Sequence, residues 1–159
     1  MKFISLTVLA IVAMVFLAAC GGGGRERSSG ASSDAAESSS GPESVTLDVV
    51  LNDIYYGDSP TNADSPPTWT VPAGSEMTIN LKNNGALEHN FAIIKKGSEI
   101  PIPFVEAEHG DIILEATGLN KAGETTVATL PAPEPGEYQV TCTVAGHYPS
   151  MQGRLVVTE

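Results

Sequence analysis

The sequence predicts an all-β sandwich of about seven or eight short strands, interrupted by one irregular or short-helix insertion. Three observations lead there. Apolar and polar residues alternate over short runs, turn residues punctuate those runs, and no long helical periodicity is present.

The first run, "SVTLDVVLND" at 44–53, has the period of a half-buried strand. "YYGDSPTNADSPPTW" follows as a Pro/Gly/Asn/Asp loop. "TWTVPAGSEMTINLKNNG" reads as two short strands around a Pro-Ala-Gly-Ser turn, with Met77, Ile79 and Leu81 on one face. After the "NNG" turn, "LEHNFAII" restarts a strand. The pattern loosens between Lys95 and Gly123, a stretch read as a short helix or an irregular excursion. "ETTVATLPAP", "EPGEYQVTC" and "GRLVVTE" then supply three more strands.

The N-terminus is of another kind. Residues 1–20, "MKFISLTVLAIVAMVFLAAC", combine a Lys2 start, an apolar run from Phe3 to Leu17 and small residues before Cys20. They are read as a lipoprotein signal peptide whose lipobox, "LAAC", ends at Cys20, the residue that would be acylated to become a lipid anchor. An ordinary secretory signal and a transmembrane anchor are the alternatives; the run is slightly short for a span and has no basic flank. Residues 21–44 are dominated by Gly and Ser and form a flexible linker. Its r.m.s. reach is roughly 25–30 Å. The folded domain is expected at 45–159, lipid-anchored at the membrane surface on the extracytoplasmic side.

From Ser44 onward, Lys82, Lys95, Lys96, Lys121 and Arg154 face fifteen acidic residues, a net charge near −10. That sign argues against nucleic acid, whose phosphates need the opposite charge. It permits steering toward a basic protein partner. The chain holds two cysteines. With Cys20 assigned to lipid, Cys142 has no disulfide partner and needs another explanation.

That explanation lies in "TCTVAGHYPSMQG". Cys142, His147 and Met151 form a C-x4-H-x3-M spacing between two predicted strands, which places all three on one tight loop. His89 in "LEHNFAII" is the obvious fourth residue. Two imidazoles and a thiolate in a trigonal plane, with a weak axial thioether, make a blue-copper site. Taken singly, each residue has an ordinary reading as core or surface. The combination in one β-rich chain favours a metal. His109 has neither cysteine nor methionine nearby and is read as a surface residue.

On these residues the chain resembles the cupredoxins, in particular their azurin and auracyanin branch. "TCTVAGHYPSMQGRLVV" is similar to the family's copper loop, and "VPAGSEMTINLKNNGALEHNFAI" to the segment delivering its first histidine. The resemblance covers roughly 45–159 and implies a Greek-key cupredoxin sandwich holding one type 1 copper. It makes His89, Cys142 and His147 the equatorial ligands and Met151 the axial one. It pairs Asn90 with Thr143 as the hydrogen bond that holds the cysteine loop shut. The chain departs from the family at Glu88, where azurins have Gly, and at Ala145, where "PGH" is common. It also cannot form the azurin disulfide.

The function implied is electron transport rather than enzymatic catalysis, with His147 as the point of electron entry and exit. Expected partners are redox proteins: a cytochrome, a quinol-oxidising complex, a reaction centre or a terminal oxidase. A monomer is expected. The alternative is a copper storage or delivery protein of the same fold. Copper oxidases and nitrite reductases need further histidines, and only His109 is left over.

Overall fold

The computed structural model describes residues 42–159. The expected signal peptide, Cys20 and all but the last residues of the expected linker lie outside the described residues. Among the described residues no helix is long and apolar enough to cross a membrane.

Eight strands form two sheets: β1 (Ser44–Leu51), β2 (Thr68–Pro72), β3 (Glu76–Asn83), β4 (Ala92–Ile94), β5 (Ile113–Ala116), β6 (Thr125–Pro131), β7 (Gly136–Thr141) and β8 (Gln152–Thr158). One sheet has the order β1-β3-β6 and the other β2-β8-β7-β4-β5. Most neighbours are antiparallel, but β1 runs parallel to β3 and β2 parallel to β8. The strands on either side of the Pro72–Ser75 turn therefore lie in different sheets. The turn is a corner between layers, closed by the Ser75 hydroxyl donating to the Pro72 carbonyl at 2.7 Å.

The alternation seen in sequence decides which side chains meet between the sheets. Leu47, Val49 and Leu51 of β1 and Met77, Ile79 and Leu81 of β3 pack against Val71, Ile93, Val140, Leu155 and Val157 of the other sheet. Each such side chain removed from water contributes about 1.5–3 kcal/mol. Strand β4 is short and buried on both faces. Ile93 faces the main core, while Ile94 joins Ile100 and Phe104 in a second, smaller cluster.

That second cluster is built by the loosely patterned segment. It contains a one-turn helix, α1 (Glu106–His109), and then β5, which adds an eighth strand at the sheet edge. Strand β5 is half-buried on one side and exposed on the other, too short for its alternation to stand out. His109 is half-buried rather than at the surface. Its Nδ1 accepts from the Val105 amide at 3.2 Å, and its ring lies 5.9 Å from that of Phe104.

Strands β1, β3 and β7 all end, and β4 and β8 begin, at one end of the sandwich. The predicted ligands sit there. Replacing Ile79, fully buried between the sheets, with alanine should cost about 2–5 kcal/mol. Urea unfolding should show the midpoint fall with an unchanged m-value.

Candidate metal centre

Cys142 follows β7 directly, and the chain returns to β8 through a loop that backbone hydrogen bonds fold onto itself. His147 N–H donates to the Val144 carbonyl (3.1 Å), Met151 N–H to His147 (2.8 Å), and Cys142 N–H to Met151 (3.3 Å). The turn requires Gly146, whose φ of +84° lies in the left-handed region. Cys142, His147 and Met151 are thereby fixed in one ten-residue loop, with Met151 completely buried.

His89 arrives from elsewhere, and not from a strand. It precedes β4 and is pinned by a backbone pair with Asn120, whose N–H donates to the His89 carbonyl at 2.7 Å. Asn120 is itself buried, donating from its side chain to the Leu81 carbonyl at 3.1 Å. Asn83 donates to the carbonyls of Leu87 (2.8 Å) and Asn120 (2.9 Å) and accepts from the Gly85 amide (2.9 Å). The "NNG" and "GLN" turns thus shape the cradle of His89. In sequence the first signalled only a turn, and the second lay unmarked in the loosely patterned stretch.

Asn90 joins the two halves. Its Nδ2 donates to the Thr143 hydroxyl at 2.9 Å, and its Oδ1 accepts from the Thr143 amide at 2.8 Å. Beneath it, the fully buried Tyr56 donates its hydroxyl to the Asn90 carbonyl at 2.7 Å. Tyr56 packs edge-on against Trp69 and Phe91. It comes from the long polar loop, where nothing but its aromatic character marked it.

The result is a cluster of three donor atoms within 4.8 Å of one another. The two Nδ1 atoms of His89 and His147 are 3.1 Å apart, and Cys142 Sγ lies 3.4 Å from His147 Nδ1 and 3.9 Å from His89 Nδ1. A triangle with sides of 3.1, 3.4 and 3.9 Å has a circumradius of about 2.0 Å. That is the length of a bond between a first-row transition metal and imidazole, roughly 2.0–2.1 Å. The donors therefore fit a single metal ion. Burial lowers the pKa of both histidines, and at His89 the neighbouring His147 acts in the same direction, so each offers a neutral ring. Burial raises the pKa of the Cys142 thiol, opposed by the amides of Asn90 and Val144. His89 and Cys142 are fully inaccessible, whereas His147 retains 8% exposure. Glu88 is exposed.

The family model of the cupredoxin-like domain matches residues 58–157. The chain belongs to the cupredoxin-like family. Auracyanin-A of Chloroflexus aurantiacus is 36% identical to this cupredoxin over 99% of this chain and 97% of its own. The structure of auracyanin A, a "blue" copper protein of that green thermophilic photosynthetic bacterium, matches with a TM-score of 0.55. It is 30% identical and covers 72% of this chain and 99% of its own. Dithionite-reduced auracyanin of Roseiflexus castenholzii matches with a TM-score of 0.58 at 26% identity, covering 74% of this chain and 99% of its own.

The lowered histidine pKa values have a consequence for the metal-free protein. A depressed folded pKa contributes stability above the unfolded value, near 6.5, which is lost as pH falls toward the folded pKa. The melting temperature of metal-free protein should therefore fall as pH drops below about 6.5. Copper should raise the melting temperature, and the fall with pH should persist, because protons compete with the metal for the same ring nitrogens.

Proposed function

We propose that this cupredoxin is an electron carrier with one type 1 copper, held by His89, Cys142 and His147 in the plane and by Met151 along the axis. One observation carries the reading. Three donor atoms of the right chemistry surround a point about 2.0 Å from each, in a core from which water is excluded. Thiolate and thioether favour Cu(I), while imidazole suits both oxidation states. Copper bound there supplies one-electron cycling between Cu(I) and Cu(II).

The chain's own residues do the rest. Asn90 and Thr143 lock the cysteine loop to the His89 segment, so the donors hold the same positions in both oxidation states. Backbone amides of Asn90 and Val144 stabilise the thiolate against its burial. Met151, fully buried, is assigned as the axial thioether. Donors buried in the sandwich, rather than spread over an exposed His- or Met-rich surface, favour a carrier over a copper-delivery protein. His147, the one histidine of the pair with an accessible edge, is assigned as the electron's point of entry and exit. Exposed Ala145, Gly146 and Pro149 beside it offer a weakly charged surface to a redox partner.

The carrier works at a membrane in this reading. Cys20 carries the lipid, residues 21–44 form the tether, and the domain of 45–159 sits on the extracytoplasmic side. Strand β1 runs from Ser44 to Leu51 over roughly 25 Å toward the metal end. The tether therefore joins the domain at the end opposite the copper, which leaves the His147 surface free for partners. A cytochrome, quinol-oxidising complex, reaction centre or terminal oxidase would exchange electrons there. The chain works as a monomer.

Adding Cu(II) to the purified protein should produce one equivalent of bound metal and an intense blue thiolate-to-copper band. Cys142→Ser should abolish the band. A colourless parent protein, or a blue Cys142→Ser variant, overturns the reading. In cells, Cys20→Ser should move the protein from the membrane fraction to the soluble extracytoplasmic fraction; continued membrane retention overturns the lipid anchor alone.

A further inference from the structure

Resting on the copper reading, we propose that Asp53 is a positioning residue of the metal centre, fixing the His89 ring through Nε2 and biasing the copper toward its oxidised form.

The argument begins with the proton of His89. Its Nδ1 faces Cys142 Sγ and His147 Nδ1, so a metal bound there occupies the Nδ1 lone pair. A neutral imidazole carries one N–H, which must then be at Nε2. That nitrogen is buried with no hydrogen-bond partner, one of two such side-chain atoms among the described residues. A buried N–H without a partner is destabilising and calls for an acceptor. The Asp53 carboxylate faces it, with Oδ1 at 3.6 Å. This is an ion-pair separation a few tenths of an ångström beyond a hydrogen bond. A small rotation of either side chain, or one bridging water, completes the contact.

The carboxylate is held for this task. Asp53 Oδ1 accepts from the amides of Ala86 at 2.6 Å and Leu87 at 3.0 Å, in the turn that leads into His89. Gly85 leaves the room in which the two groups meet. A Cβ at that position would collide with Asp53 Oδ1 and lie 3.1 Å from His89 Nε2. Asp53 lies just beyond β1 of the three-stranded sheet, while His89 leads into β4 of the five-stranded one. Their contact therefore ties the two layers together at the metal end.

Two effects follow from a carboxylate at this place. Accepting the Nε2–H fixes the ring plane and the tautomer and strengthens the imidazole as a donor. The negative charge, one imidazole ring away from the metal, stabilises Cu(II) over Cu(I) and lowers the reduction potential. The Asp53 side chain is 48% exposed, so solvent and salt screen part of the charge effect. The orienting effect is less sensitive to salt.

Asp53→Asn and Asp53→Ala, loaded with copper, separate the two effects. The asparagine keeps an acceptor oxygen for both amides and for Nε2–H but removes the charge. It should retain the blue band and raise the reduction potential, by an increment that shrinks at high salt. The alanine removes both and should weaken Cu(II) binding by about 10–100-fold, the range for such outer partners. In the diamagnetic Cu(I) protein, nitrogen-15 NMR should show a protected His89 Nε2–H in the parent and in Asp53→Asn, exchanging faster in Asp53→Ala. If the asparagine variant has the parent's potential and Nε2–H exchange is the same in all three proteins, Asp53 merely caps the turn and the proposal is overturned. A blue parent with such unaffected variants defeats only the role of Asp53. A parent that takes up no copper defeats the carrier reading as well.

Discussion

Asn90 and Thr143 exchange two hydrogen bonds across 53 residues of sequence, and the donor cluster depends on that exchange. On one side stands a loop that positions Cys142, His147 and Met151 by its own backbone hydrogen bonds. On the other stands His89, ahead of β4. Neither part alone brings three donors to within 4.8 Å of one another. Both partners of the exchange are buried, so breaking it leaves unpaired polar groups in the core. Tyr56 extends the same linkage downward, from the Asn90 carbonyl into the aromatic packing of Trp69 and Phe91.

Burial makes this rigidity necessary. Two imidazoles and a thiol taken out of water lose hydration, and their pKa values move toward the neutral forms. A metal ion recovers that loss only if the donors already point at one place. Strand ends supply such a place, because the chain must leave the sheet there and can turn its side chains inward. Strands β4 and β7 are neighbours in one sheet, with Ala92 opposite Thr141. The residues just before β4 and just after β7 therefore meet by register alone. The backbone pair between His89 and Asn120 then sets the rotation that the register leaves open.

Much of this was legible in the sequence. Alternation in β1, β3 and β8 is strong because each has one face on the core and one in solvent. The C-x4-H-x3-M spacing was readable because its three candidate ligands share one loop. His89 was found through the chemistry of the set, since a trigonal site needs a second imidazole. What could not be read was contact made at a distance. Strand β5 is short and at an edge. Tyr56 lies in a Pro/Gly-rich loop whose composition hides a fully buried ring. Asn83, Asn120 and Asp53 are polar residues in turn-like surroundings, the expected setting for solvent-facing groups. Their roles come from which backbone groups they meet, 34 or more residues away in the cases of Asp53 with Leu87 and Asn83 with Asn120. No local pattern carries that information.

The fold also bears on the kinetics of an electron carrier. Transfer is fast when few atoms move as the charge changes. Here the donor geometry is set by strand register, by the Asn90–Thr143 exchange and by a glycine turn, none of which depends on the oxidation state. Strand β1 starts at the opposite end of the sandwich and reaches this frame at Leu51, seven residues beyond Ser44, so what precedes Ser44 attaches a full strand length from the donors.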